Sequence, residues 1–180
     1  MANATTFIEE IVVSGSTTQT VEFTSISQAY DDLIIYGSGR NLTTGQNEGY
    51  TRITFNSDAT SNYSWGRGYV YGTQVYGGEI STSYDPAISH YAGSSSANSN
   101  VTPGNLIMYL PRYSNTTYKK SGRSRFSELT NAAQFSYATS GVIAYWAWNS
   151  TAAIASIQIK DLFSYWCPGT KFSLYGISNS

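Results

Sequence analysis

The sequence predicts an all-β fold: an antiparallel β-sandwich, jelly-roll-like, of about nine to eleven short strands. Two observations carry that expectation. Short β-branched and aromatic runs recur along the chain with turn residues between them, and no alternating helical pattern interrupts them. The 16 Tyr residues fit the same reading, because Tyr suits a half-buried pleated surface.

In chain order, "FIEEIVV" (7–13) and "TQTVEFT" (18–24) flank the turn "SGSTT" and read as a hairpin. "DDLIIYGSGR" (31–40) gives a third strand, and "GYTRITF" (49–55) alternates Thr51, Ile53 and Phe55 against Tyr50, Arg52 and Thr54. "WGRGYVYGTQVYGGEI" (65–80) is interrupted by glycines, as bulged or edge strands are. Residues 81–104, with "AGSSSANSNVTPG" at their end, read as a flexible loop inside a single domain spanning 1–180. "NLIMYLPRY" (105–113) is a strand broken by Pro111, and "RFSELTNAAQFSYA" (125–138) reads as mostly strand and loop. "GVIAYWAWN" (141–149) and "AAIASIQIK" (152–160), split by "NST", read as a second hairpin, and "KFSLYGI" (171–177) as the last strand.

Only 12% of the residues are charged and the formal net charge is −1, against about 25% charged residues in ordinary soluble chains. Such a surface lacks self-repulsion and favours assembly, and Tyr is enriched where surfaces meet. Cys167 is the single cysteine, so no intrachain disulfide is expected. The first residues carry Glu9 and Glu10 inside their apolar run, unlike a signal peptide, and no apolar run reaches the ~18 residues of a membrane span. The expectation is a product made in a cytoplasm, with no membrane partner.

The residues offer little catalytic chemistry. His90 is the only histidine, no nucleophile motif occurs, and one His with one Cys supplies no zinc set, so no cofactor and no metal are expected. Glu9/Glu10 and Asp31/Asp32 are adjacent pairs, and strand neighbours point to opposite faces, so neither pair is expected to converge as glycosidase carboxylates do. Arg112, Lys119, Lys120, Arg123 and Arg125 form the one basic cluster, readable either as a solvated loop or as a subunit or capsid contact. Nucleic acid is not expected as its partner, because the chain as a whole is slightly acidic. Tyr69, Tyr71, Tyr76, Tyr145, Trp146 and Trp148 are the candidate aromatic contact surface. Asn56, Asp58 and Asn62 in "FNSDATSNYS" read as a structural turn linking two strands, with a calcium-like ion as the other reading of their oxygens.

Three stretches together resemble a known group. "FTSISQAYDDLIIYGSGR" (23–40) resembles an aromatic-start strand that ends in Arg, "ITFNSDATSNYS" (53–64) a Phe-Asn-x-Asp-x-x-x-Asn-Tyr element, and "IQIKDLFSYWCPGTKFSLYGI" (157–177) a terminal hairpin ending Phe-x-Leu-Tyr-Gly-Ile. The order is similar to that of small β-sandwich virion proteins of tailed bacteriophages, found among capsid-decoration and tail-associated components. The resemblance implies a non-enzymatic, jelly-roll-like structural protein of the virion, assembled in the host cytoplasm. Its implied partners are other copies of itself, as a trimer or dimer, and the major capsid protein or other virion proteins. The leading expectation is a capsid decoration (cement) protein stabilising the head from outside. The alternative is a tail-fibre or tail-tip module recognising host-surface carbohydrate.

Overall fold

A computed structural model describes residues 4–42, 50–71, 74–85, 88–91, 94–95, 103–129, 139–162 and 164–179. Its strands are β1 (Ala4–Val12), β2 (Thr20–Phe23), β3 (Asp32–Asn41), β4 (Tyr50–Phe55), β5 (Tyr63–Tyr71), β6 (Gln74–Asp85), β7 (Ile88–Tyr91), β8 (Ser94–Ser95), β9 (Gly104–Leu110), β10 (Lys120–Leu129), β11 (Thr139–Trp148), β12 (Ile157–Asp161) and β13 (Lys171–Ser178). The large sheet runs β1, β13, β3, β9, β10, β11, β5, β6, and the small one β2, β12, β4, β7. Every pairing along both paths is antiparallel, and the two-residue β8 lies parallel beside β3.

Set aside β8 and the β5/β6 and β10/β11 hairpins, and eight strands remain. One sheet then holds the first, eighth, third and sixth of them, the other the second, seventh, fourth and fifth. That order is the double Greek key of a jelly roll. The two extra hairpins extend one sheet beyond the small sheet, so the sandwich is asymmetric.

This topology replaces both expected hairpins. β1 pairs with β13 in the large sheet, whereas β2 pairs with β12 in the small one, so "SGSTT" carries the chain between sheets. β11 and β12 are divided in the same way, and residues 152–156 are not strand. In this jelly roll the connections from β1 to β2 and from β11 to β12 cross between the sheets, and a turn-rich linker reads alike in a crossing and in a hairpin. The loop expected across 81–104 gives way to strand through Asp85 and again over Ile88–Tyr91 and Ser94–Ser95; residues 96–102 lie outside those described. Likewise β10 takes the basic segment into the sheet from Lys120 onward.

The core lies between the sheets. Leu33, Ile35, Leu106, Met108, Leu110, Phe172 and Leu174 of the large sheet meet Val21, Phe23, Ile53, Phe55, Ile157 and Ile159 of the small one, all of them buried. Gly122 admits no side chain, since a Cβ there would sit 2.3 Å from both the Trp146 ring and the Tyr109 carbonyl oxygen. Close approach of the Trp146 ring to the β10 backbone depends on that glycine.

Candidate functional site

Three of the central strands of the large sheet, β3, β9 and β11, are apolar on both faces. In β3 the inward Leu33 and Ile35 alternate with Ile34 and Tyr36; in β9 Leu106 and Met108 alternate with Ile107 and Tyr109; in β11 Val142, Ala144 and Trp146 alternate with Ile143 and Tyr145. Continuous apolar runs normally belong to strands covered on both sides. Here Phe7 (56% exposed), Tyr36 (44%), Ile107 (41%), Ile143 (46%) and Tyr145 (65%) open outward.

Register aligns these outward side chains in rows across the sheet. One row runs Glu10, Ser173, Tyr36, Ile107, Arg125, Ile143, and the next Phe7, Tyr175, Ile34, Tyr109, Arg123, Tyr145. Tyr175 makes edge contacts with both Phe7 and Tyr36 at 5.6 Å between ring centroids, and the Arg123 guanidinium lies 5.5 Å from the centre of the Tyr109 ring. Sequence reasoning missed Phe7, Tyr36, Ile107 and Ile143 as a surface. The signal was there in "LIIY" and "LIMY", which are apolar at every position.

At the hairpin end the face sinks into an open trough of about 660 Å³, lined among others by Val70, Val75, Arg125, Ile143 and Tyr145. Gly77 and Gly141 form bare parts of its wall. Among the described residues a Cβ at either would touch nothing within 4 Å, so packing against them does not require glycine there. Glycine in a strand also marks close approach by a ligand or a second backbone.

The expected aromatic surface is thus divided. Tyr145 faces outward, but Trp146 (3% exposed) and Trp148 (2%) alternate to the other side and belong to the core. Tyr69, Tyr71 and Tyr76 hold backbone positions in β5 and β6, and their side chains lie outside the described residues.

The segment "FNSDATSNYS" is a corner between the two sheets rather than a hairpin, because β4 is in the small sheet and β5 in the large one. Asn56 and Ser57 take positive φ (51° and 55°), and the Asp58 N–H donates to the Phe55 carbonyl at 2.9 Å, closing a tight turn. Asn56 does not bond two residues on. Its Nδ2 donates to Ala153 O at 2.8 Å, and its Oδ1 accepts from the N–H groups of Ala155 and Ser156 at 2.8 and 3.1 Å, clamping the corner to the approach of β12. Asp58 accepts from Thr60, from Asn62 Nδ2 at 3.0 Å and from Trp148 Nε1 at 2.7 Å. Those donors occupy the oxygens that the ion reading needed, and Asn62 turns its nitrogen inward. Among the described residues no group of three His, Cys, Asp or Glu gathers.

Burial opposes the Asp58 charge, yet hydrogen bonds from Thr60, Trp148 and Asn62 outweigh it and hold the carboxyl down at about 2. A carboxyl depressed in the fold contributes stability that is complete above its unfolded value of ~3.9 and is lost as pH falls through the folded value. Asp58→Asn is therefore expected to cost about 1–2 kcal/mol at pH 6, allowing for solvent access to the group, and much less at pH 2. Urea unfolding at pH 6, 4 and 2 checks this; a gap between the two proteins that stays constant across that range contradicts it.

The basic cluster does not act as one surface. Arg123 and Arg125 lie exposed on the outward face of β10, Lys119 is exposed just before it, and Arg112 sits in the turn after β9. Lys120 is buried at 3% exposure and cannot be a contact residue. Its Nζ donates to the carbonyls of Asn115, Tyr118 and Thr151 at 2.5, 2.9 and 3.1 Å.

Asp31 and Asp32 correct a further expectation. Asp31 precedes β3, so strand alternation does not separate the pair, and Asn179 bridges them: its N–H donates to Asp31 Oδ2 at 2.6 Å and its Nδ2 to Asp32 Oδ2 at 2.8 Å. Asp32 also accepts from Tyr109 Oη at 2.6 Å and from the Arg112 N–H at 2.8 Å, with Arg112 held at φ 49°. Burial works against the Asp32 charge, but these bonds and the nearby Arg112 charge prevail and lower its pKa. Burial and the Asp32 carboxylate together push the Tyr109 hydroxyl up to about 12. The group ties the chain end and the turn after β9 to the start of β3. His90 pairs through its backbone with Thr51, and its side chain lies outside the described residues.

No family model matches this chain, and no curated protein does. Among solved structures it is similar to the CBM2 module of the evolved Dit of Lactobacillus casei BL23 phage J-1, at 11% identity over 94% of this chain and 76% of that one, with a TM-score of 0.25. A likeness at that score carries no argument about function, which rests on the surface just described.

Proposed function

We propose that this chain is a non-enzymatic structural protein of a tailed-phage virion, a cement protein that docks on the outside of the head. The observation that carries the reading is the outward face of the large sheet, where Tyr36, Ile107, Ile143 and Tyr145 stand exposed on strands patterned for burial on both sides, with Phe7 exposed on the edge strand β1 beside them. A protein present in many symmetric copies buries such a face against its neighbours. The jelly-roll topology, which viral capsid domains also use, and the three-part sequence resemblance agree with this, although a fold alone does not assign a function. Mass spectrometry and cryo-EM of purified virions test it. The protein should be present at a copy number that tracks the capsid lattice, and its absence from virions would overturn the reading.

The trough beside Tyr145 favours a second reading, a tail-fibre or tail-tip module for host-surface carbohydrate. Bare backbone at Gly77 and Gly141 leaves room for a flat ring beside an exposed Tyr. A glycan array comparing the wild type with Tyr145→Ala separates the two, and Trp146 is unsuitable for that purpose because it is a core residue. Sugar binding lost in the variant, together with a handful of copies per particle, would select the tail reading.

A further inference from the structure

The outward face is self-complementary in charge, and we infer that its occupant is a second copy of this chain, related by a two-fold axis running along β3 in the plane between two facing large sheets.

Strand order sets the geometry. β3 lies midway in the series β1, β13, β3, β9, β10, so an axis along it places β1 of one copy over β10 of the other and β13 over β9, while each row of side chains stays in its own row. In the first row Glu10 then faces Arg125 of the second copy, and by symmetry Arg125 faces the other Glu10; Tyr36 meets Tyr36 on the axis, and Ser173 meets Ile107. In the second row Arg123 of one copy covers Phe7 of the other, Tyr175 meets Tyr109, and Ile34 meets Ile34. In a third row Lys171 faces Asn105, and Val12 faces Ser127. Each charge in these rows therefore meets an opposite charge, an aromatic ring or a neutral side chain. An in-plane axis perpendicular to the strands sets Glu10 against Glu10 and Arg125 against Arg125 when it runs along the first row, and Arg125 against Arg123 when it runs between the first two rows, arrangements that like charges oppose.

Size agrees. Five strands at about 4.8 Å spacing and about six residues at about 3.3 Å give a projected patch on the order of 500 Å². With side-chain relief that approaches the ~800 Å² per partner of a standard interface. The chain's low charge density adds little repulsion. Beyond β10 the β11, β5 and β6 strands overhang the partner's edge, so Ile143, Tyr145 and the Gly77 and Gly141 side of the trough stay open in the dimer.

The dimer deepens the reading of this face as an assembly surface by naming one occupant. Its test is separate, because it needs only the purified chain, whereas the virion reading stands or falls on particle composition. Sedimentation velocity over a dilution series is expected to show a reversible dimer. Arg125→Glu should weaken it about tenfold or more, because two contacts per dimer change from attraction to repulsion. Glu10→Arg should do the same, and the double variant carrying both substitutions should return the dissociation constant to near the wild-type value. Both side chains are exposed, and circular dichroism verifies that each variant folds. A monomer at every concentration, a trimer, a dimer indifferent to either single reversal, or a double variant that fails to recover would each overturn the inference.

Discussion

Trp148→Ala is expected to lower the unfolding free energy by about 4 kcal/mol, while Tyr145→Ala, three residues away, changes it by no more than ~0.5 kcal/mol. Trp148 is 2% exposed, lies 14° from parallel with Tyr63 at 6.2 Å, and touches Phe55 at 5.6 Å. Deleting the ring removes its transfer energy and leaves a cavity between β11 and the corner after β4. It also takes one donor from the Asp58 carboxylate. Trp148→Phe keeps most of the packing and loses mainly the indole N–H, so about 1–2 kcal/mol is expected there. Urea titrations followed by circular dichroism separate the cases. A loss below ~2 kcal/mol for Trp148→Ala would mean that the corner is not anchored by this ring.

That contrast also shows what the sequence makes legible. In "VIAYWAW" the period-two alternation is plain, and it sorts Val142, Ala144, Trp146 and Trp148 from Ile143 and Tyr145. Which set turns inward is not readable, because both are apolar and a sheet apolar on both faces has no polar side to orient it. Strand positions were readable for the same periodic reason, but pairing was not. β1 finds its partner in β13, at the opposite end of the chain, and the turn residues between β1 and β2 look like those of any hairpin. The polar corner could be read as a turn from its Asn and Asp residues. Its clamp onto Ala153, Ala155 and Ser156 could not, since nothing local specifies a partner about a hundred residues away. Nor could the Asp31/Asp32 convergence, which depends on where β3 begins and where Asn179 returns.

The outward face presents the reverse situation, legible as composition and not as place. Low charge and abundant Tyr are visible in the composition, yet only the register brings Glu10 and Arg125 into one row with Tyr36 between them. Residues far apart in sequence become a surface once β1, β13, β3, β9 and β10 lie side by side. Within the basic cluster, parity along β10 turns Lys120 inward and Arg123 and Arg125 outward, while Lys119 and Arg112 lie outside the strand.

Lys120→Met is expected to cost about 3 kcal/mol, and Lys119→Ala beside it no more than ~0.5 kcal/mol. Parity along β10 puts Lys120 on the side of Phe126, the inward aromatic, and Lys119 stays in solvent. Burial pulls the Lys120 pKa below the ordinary lysine value, so desolvation is a real cost of placing an ammonium there. What offsets it is geometry, because one Nζ gives its donors to the carbonyls of Asn115, Tyr118 and Thr151 and so joins the turn before β10 to the segment after β11. Met fills much of the same volume but leaves three part-buried carbonyls without their charged donor and removes the link between the two segments. If Lys120→Met were neutral in urea unfolding while Lys119→Ala abolished assembly, the cluster's role would revert to a contact surface. The burial of Lys120 predicts the opposite order, with Lys120 acting on the fold and, in the proposed dimer, Arg123 and Arg125 on the second copy.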